Sequence, residues 1–333
     1  QELIALQKGD QLDLELTRRI EEIAERERFF HWSFEFPTVF NGAKSGFDVV
    51  LGNPPWERIK LQEKEFFAPY DPEIANAPNK AARNKLIKRL PEENPDLYAR
   101  FIQAKASADN LSTFVRDSGR FPLTAYGDIN TYALFAEHFR DIFNAKGLAG
   151  IIVPTGIATD FGTKDYFGDV VEKQQIVSLY DFENREGLFA DVDSRMKFCL
   201  LTLSGEPVEK ADFIFFATNV GHLRDKLRCF SLSPTEIARV NPNTLTMPIF
   251  RTNSDAHLVS FVYKNLPILM NDTQNENLWE LTLLRMFDMS SDSDIFQTEE
   301  RPNNLPLYEG KMFSQFDHRF ANVEFNLSNQ FRP

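Results

Sequence analysis

The chain has 333 residues, 49 acidic and 37 basic, for a net charge of −12. That balance excludes a uniformly basic nucleic-acid coat but leaves room for a local basic groove. The length accommodates two modest domains, no apolar run is long enough to span a membrane, and Cys199 and Cys229 form no disulfide or metal-ligand pattern, which suits a reducing cytoplasm.

Residues 11–30 read as an amphipathic helix. Leu12, Leu16, Ile20, Ile23 and Phe30 share one stripe, charges fill the rest, and Asp10 is the expected N-cap. From His31 to Phe40, Ser33, Glu35 and Thr38 interleave with Trp32, Phe34 and Phe36, which predicts an extended segment. Asn41 to Ser45 is a turn. The run Gly46-Phe47-Asp48-Val49-Val50-Leu51-Gly52-Asn53-Pro54-Pro55-Trp56 follows. Val49 to Leu51 suits a buried parallel strand. Pro54 and Pro55 cannot continue a central strand, so the chain leaves the sheet at Asn53. Ligands of open α/β sheets bind at that carboxyl end.

An amide, a rigid turn and an aromatic plate together suit one chemical task. The exocyclic amine of a nucleobase is a poor nucleophile, because its lone pair is delocalised into the ring. The Asn53 side-chain carbonyl and the Pro54 backbone carbonyl can each accept one of its N–H bonds, which turns the lone pair toward an incoming methyl group. Pro55 stiffens the loop. Trp56 offers a stacking face worth ~1–3 kcal/mol per base, enough with the two hydrogen bonds to offset the cost of roughly a few kcal/mol for flipping a base. The plainer reading is a loop in which Asn53 caps a turn and Trp56 fills core.

Asn53-Pro54-Pro55-Trp56 after a hydrophobic strand resembles motif IV of the amino-methyltransferases that use S-adenosylmethionine. The wider run, from His31-Trp32 through Phe36-Pro37 to Trp56, is similar to the large N6-adenine DNA methylases of type IIG restriction–modification systems and of related phage-defence systems. The resemblance is tightest over residues 31–58 and 127–205. It implies an α/β chain, part of a doubly wound S-adenosylmethionine-dependent methyltransferase fold, followed by an α+β recognition segment. On that basis residues 1–205 are expected to be the C-terminal part of a catalytic domain, with 57–126 as a helical insertion. Residues 206–333 are expected to be a linker and the start of a target-recognition region.

Within the insertion, prolines break the chain into short helical pieces. One piece is basic: Lys80, Arg83, Lys85, Lys88 and Arg89 run without an intervening acid, and are candidates for gripping a DNA phosphate strand or for an ordinary solvated helix face. Gly127-Asp128-Ile129-Asn130 then leads into a helix over 131–145, capped by Asn130 or Asp128 and stopped by Gly147. The strand Leu148 to Val153 ends in Pro154-Thr155-Gly156. This unit resembles motifs V and VI of the same family, which implies that Asp128, Asn130 and Tyr132 border the methyl donor's pocket. Their plain roles are cap and core.

A helix at 163–173 precedes a strand from Ile176 to Phe182. A loop leads to the strand Cys199 to Leu203. The resemblance makes Phe189 the second wall of the base pocket, facing Trp56, and sets Arg195 and Lys197 near the adjacent phosphate. A strand is expected over Phe213 to Phe216, then short helices and acidic loops. The stretch from Leu307 to Arg319 resembles the opening of the recognition region, making Lys311, Gln315, His318 and Arg319 DNA-contact candidates.

The family also needs a Gly-rich turn for the donor, and nothing before Asn53 spells one. The expectation is therefore a methyltransferase lacking its front half, inactive as this piece alone. Its partners are double-stranded DNA, the N-terminal methyltransferase half and a nuclease domain, although Pro95-Asp96 lacks the following Glu-x-Lys of a nuclease motif. S-adenosylmethionine is the expected cofactor, with no metal. The alternatives are methylation of cytosine N4 or of a protein glutamine, and a non-catalytic DNA-binding or assembly module.

Overall fold

The computed structural model describes residues 13–42, 45–288 and 291–297, and beyond these residues 302, 304, 305, 307, 310–312, 314 and 317. The chain divides into two units, Gln1–Trp279 and Glu280–Pro333. The strands of the first unit are β1 (Phe47–Gly52), β2 (Phe143–Pro154), β3 (Ile176–Glu183), β4 (Lys197–Ser204), β5 (Ala211–Ala217) and β6 (Phe230–Leu232). They form one sheet in the order β1-β2-β4-β3-β5-β6. β1 is parallel to β2, and β3 to β5, while β4 runs antiparallel between β2 and β3 and β6 antiparallel to β5. The sheet is therefore mixed, and β1, β2, β3 and β5 all deliver their carboxyl ends to the same edge.

The helices are α1 (Leu14–Glu27), α2 (Lys80–Ile87), α3 (Pro95–Asp117), α4 (Thr131–Ile142), α5 (Lys164–Glu172), α6 (Pro234–Val240) and α7 (Asn253–Asn265), with several single turns between them. Alternation along the strands sorts the core. Val50 pairs with Ala149, Ile151 with Leu201 and Leu201 with Leu179, so these residues share one face. That face packs against Ala133 and Ala136 of α4 and Tyr166, Phe167 and Val170 of α5. Tyr166, Phe167, Phe213, Leu201 and Leu203 are fully buried, each contributing about 1.5–3 kcal/mol. On the opposite face Phe182, Phe198, Ile214 and Ala217 form a smaller cluster. Residues 57–126 carry a core of their own, built on Phe67, Ile74, Leu90, Leu97 and Phe101.

Three expectations need correction. α1 begins at the cap Asp13, whose carboxylate accepts from Leu16 N at 3.4 Å, and Asp10 lies outside the described residues. His31 to Phe40 is not extended: Trp32–Glu35 and Pro37–Phe40 are two helical turns. Trp32, Phe36 and Phe40 recur at every fourth position, and all three set their rings edge-on against Phe47. Packing of that triplet outweighs the short two-residue alternation. α4 stops at Ile142 rather than near 145, because Phe143 joins β2 and pairs with Phe47 of β1. Gly46 precedes that pair at φ +118°, with a side chain excluded by the Phe143 and Asn144 backbone only 2.6–2.9 Å away.

The expected break at residue 205 falls inside the sheet, since β5 and β6 continue it. Among the described residues the second unit contains two short 3-10 turns, Ser293–Ile295 and Gly310–Met312, and a bridge between Ser314 and Asp317. No helix among the described residues is long and apolar enough to cross a membrane.

Near the end of α4, His138 lines a cavity of about 280 Å³ with His31, Trp32, Arg120 and Asp141. Burial, and then the charge of Arg120, pull its pKa from 6.5 down to about 4. Between those values the unfolded chain binds a proton that the native state refuses, so this group lowers stability as pH falls from 6.5 toward 4. His138→Gln should flatten that part of a Tm-against-pH profile. An unchanged slope would mean the native imidazole titrates normally.

Candidate active site

The exit of β1 is a fixed corner. Pro54 is buried, Asn53 and Pro55 are exposed, and Trp56 is half-buried. The Trp56 indole Nε1 donates to the carbonyl of Ile152 on β2 at 3.3 Å. Its ring packs against the cluster of Phe182, Phe198, Ile214 and Ala217. Neither the Asn53 amide nor the Pro54 carbonyl is hydrogen-bonded to another of the described residues. Asn53 therefore does not brace its own turn.

The loop after the corner is stapled to the start of α4. Thr131 Oγ1 donates to the Pro55 carbonyl at 2.7 Å and accepts from Glu57 N at 3.0 Å, while Thr131 N donates to the Glu57 carbonyl at 2.8 Å. Asn130 caps α4 by accepting from Tyr132 N at 3.3 Å, and its Nδ2 donates to the Trp56 carbonyl at 3.4 Å. Ile59 N donates to Ile129 O at 3.3 Å. Thr131 is a residue the sequence reading missed, and its partners lie more than seventy residues away, beyond any local signal.

Phe189 arrives from the loop between β3 and β4. Asn184, almost fully buried, ties that loop together: its Nδ2 donates to the carbonyls of Phe189 and Val192 at 2.9 and 2.8 Å, and its Oδ1 accepts from Phe189 N at 2.9 Å. Gly187 turns the chain at φ +71°, a conformation that favours glycine. The Phe189 ring meets Phe198 edge-on at 5.2 Å, and Phe198 stacks on Phe182 at 5.4 Å. Trp56 and Phe189 thus stand on one aromatic cluster. Asn184 was not singled out from the sequence, although an Asn followed by Gly three positions later is a turn signal.

Residues 2–115 match the family model of the Eco57I restriction-modification methylase. That segment contains the Asn53–Trp56 corner. Solved structures with a likeness to the chain include the type IIG restriction endonuclease BpuSI, at 19% identity, a TM-score of 0.28 and coverage of 50% of this chain and 15% of that one. A second is the methyltransferase subunit of a type I restriction–modification system from Streptococcus thermophilus, at 13% identity, a TM-score of 0.35 and coverage of 62% and 38%. A third is the M protein of the type I restriction enzyme EcoKI, at 8% identity, a TM-score of 0.30 and coverage of 65% and 65%. The chain thus spans well under half the length of the first two. No curated protein matches it.

The other expected site residues are placed as follows. Asp128 is exposed and pairs with Arg58 at 3.3 Å, a surface contact worth about 0–1 kcal/mol. Tyr132 is core, its hydroxyl pushed up to about 12 by burial and then by Asp160 and Cys199, so it stays protonated. In α2 and just after it, Lys80, Lys85, Lys88 and Arg89 are exposed and in no ion pair with a described residue. Arg83 instead braces the turn before it, donating to the carbonyls of Ile74 at 3.2 Å and Ala75 at 3.4 Å. Arg195 grips Asp193 in a two-pronged pair at 2.8 and 3.0 Å, which holds that carboxyl well below the usual range. Lys197 pairs with Glu183 at 3.0 Å. Burial pushes the Glu183 carboxyl up, but Lys197 and Arg185 outweigh it and the net shift is downward. Lys311 lies in the turn Gly310–Met312, while Gln315, His318 and Arg319 are outside the described residues. Among the described residues no three His, Cys, Asp or Glu gather as metal ligands do.

Proposed function

We propose that this chain is the base-holding part of a DNA (adenine-N6) methyltransferase belonging to a restriction–modification or phage-defence enzyme. The observation that carries the reading is the corner itself: two carbonyl oxygens with no partner among the described residues, on a proline-stiffened turn, beside an indole held by Ile152. Asn53 Oδ1 and Pro54 O each accept one N–H of the adenine amino group. Trp56 and Phe189 stack on the extruded base. The Eco57I methylase match over residues 2–115 supports the same assignment.

S-adenosylmethionine supplies the methyl group in this reading. The residues present do not make a full donor cradle. Asn130 is committed to its cap and to Trp56, Tyr132 is core, and Asp128 faces Arg58. Donor binding is assigned to a further part that packs beside β1. Among the described residues β1 pairs with β2 alone, and Val49 and Leu51 on its uncovered face are 64% and 84% exposed. As the terminal strand of the described sheet, β1 also leaves one backbone edge unpaired, a ready template for another strand. An isolated chain would accordingly be inactive and need that part, from the same polypeptide or from a partner, and a nuclease domain would be a further neighbour.

The test is transfer of a labelled methyl group by the full-length protein to duplex DNA, read by nucleoside mass spectrometry. Label on adenine N6 is expected. Label on cytosine N4 would replace the target, and no transfer to DNA would overturn the assignment. With 2-aminopurine in place of the target adenine, fluorescence should rise on binding, and Trp56→Ala should reduce that rise.

A further inference from the structure

β5 carries one residue more than β3 near its end: Tyr180 pairs with Ile214, but Phe182 pairs with Ala217. The extra residue bulges the strand, a feature that re-aims side chains beside active sites. Phe216 sits in that bulge at φ 58°, left-handed backbone that an aromatic residue seldom adopts and that costs about 1–3 kcal/mol. It persists because it is pinned from several sides. Phe216 N donates to Asp181 Oδ2 at 2.9 Å, and Arg228 Nη1 donates to the Phe216 carbonyl at 3.3 Å. Asp181 is itself 2% exposed and accepts from Thr155 Oγ1 at 2.5 Å.

The result is a half-buried ring at the carboxyl edge of the sheet with two cations over it. The Arg251 guanidinium carbon lies 4.2 Å from the ring centroid and the Lys197 ammonium 5.1 Å. Arg251 is exposed and has no carboxylate or hydrogen-bond partner among the described residues. Lys197 shares its single carboxylate, Glu183, with Arg185, so that group keeps a net positive charge. Arg228 pairs with Asp225 at 3.4 Å, and Glu186 is taken up by Thr218 and Asn219. In a chain of net charge −12 this is a local reversal of sign. A guanidinium stacked on a ring is already ordered while its N–H edge remains free, the geometry that grips phosphate oxygens in pairs.

We propose that Arg251 and Lys197, seated on Phe216, clamp a phosphodiester group of the nucleic-acid substrate. This rests on the DNA reading of the Asn53 corner. Lys197 directly precedes Phe198, the ring that Phe189 meets edge-on, so the clamped phosphate belongs to the backbone close to the extruded base.

The experiment is binding of the full-length protein to a duplex containing the target, by fluorescence anisotropy over a range of salt. Arg251→Gln should reduce the slope of log K against log salt by about one, and weaken binding to all sequences alike. Arg251→Lys should keep the slope. A neutral methylphosphonate moved along the phosphates flanking the target should, at one position, weaken the unaltered protein and leave the Arg251→Gln/Lys197→Gln pair unchanged. If the unaltered protein binds no DNA, the reading of the Asn53 corner fails and the clamp with it. If it binds DNA but Arg251→Gln and the Arg251→Gln/Lys197→Gln pair both keep the full slope, the clamp alone is overturned.

Discussion

Replacing Asn53 by alanine in the full-length protein should lower methyl transfer by about 10²–10³-fold or more, the usual cost of losing one preorganised polar contact to a reacting group. The structure makes this substitution unusually clean. Asn53 is exposed and its amide holds none of the other described residues, so Tm should stay within experimental error. DNA affinity should change little, because stacking on Trp56 and the phosphate contacts are untouched. The loss therefore belongs in kcat rather than in KM. Asn53→Asp tests the same point differently: the acceptor oxygen remains, but with a charge beside the donor. Its activity should fall between those of the parent and the alanine variant. Full turnover by Asn53→Ala would end the assignment of that amide to the amine.

The corner was legible because its signals are local. Gly52-Asn53-Pro54-Pro55 must end a strand, and the strand before it does end there. The cap at Asn130 was equally readable, since a short polar residue before an apolar stripe is a helix start. The failures share a different cause. His31 to Phe40 carries two rhythms, and the one that prevails is decided by Phe47, which lies outside the segment. α4 ends early because Phe143 finds a partner across the sheet. The residues that hold the site in shape are also invisible locally. Thr131 reaches back to Pro55 and Glu57, and Phe216 owes its geometry to Asp181 on another strand. Sequence displays the residues that touch a ligand through their chemistry. It hides those that aim them, because aiming depends on contacts made only after the chain has folded.

Thr131 provides the sharpest test of that distinction. Its hydroxyl is the only side-chain group that bonds to both sides of Trp56, through Pro55 and Glu57, among the described residues. Thr131→Val keeps the shape and removes the hydroxyl, leaving the Glu57 N–H and the Pro55 carbonyl without that partner. Both groups are exposed and water can replace the hydroxyl, so the loss is about 0.5–1.5 kcal/mol and Tm should fall by a few degrees at most. If the turn serves only the fold, the consequences stop there. If its purpose is to keep the Asn53 and Pro54 oxygens at a fixed spacing, loosening it misplaces the amine, and a misplacement of about 1 Å can cost up to 10²-fold in rate. The expected result is a large drop in kcat with KM for DNA nearly constant, measured well below the new Tm. Thr131→Ser restores the hydroxyl and should recover most of the turnover. A valine variant that melts earlier yet methylates at the parent rate would reduce Thr131 to a brace for α4, and the rigid-corner argument would lose its strongest support.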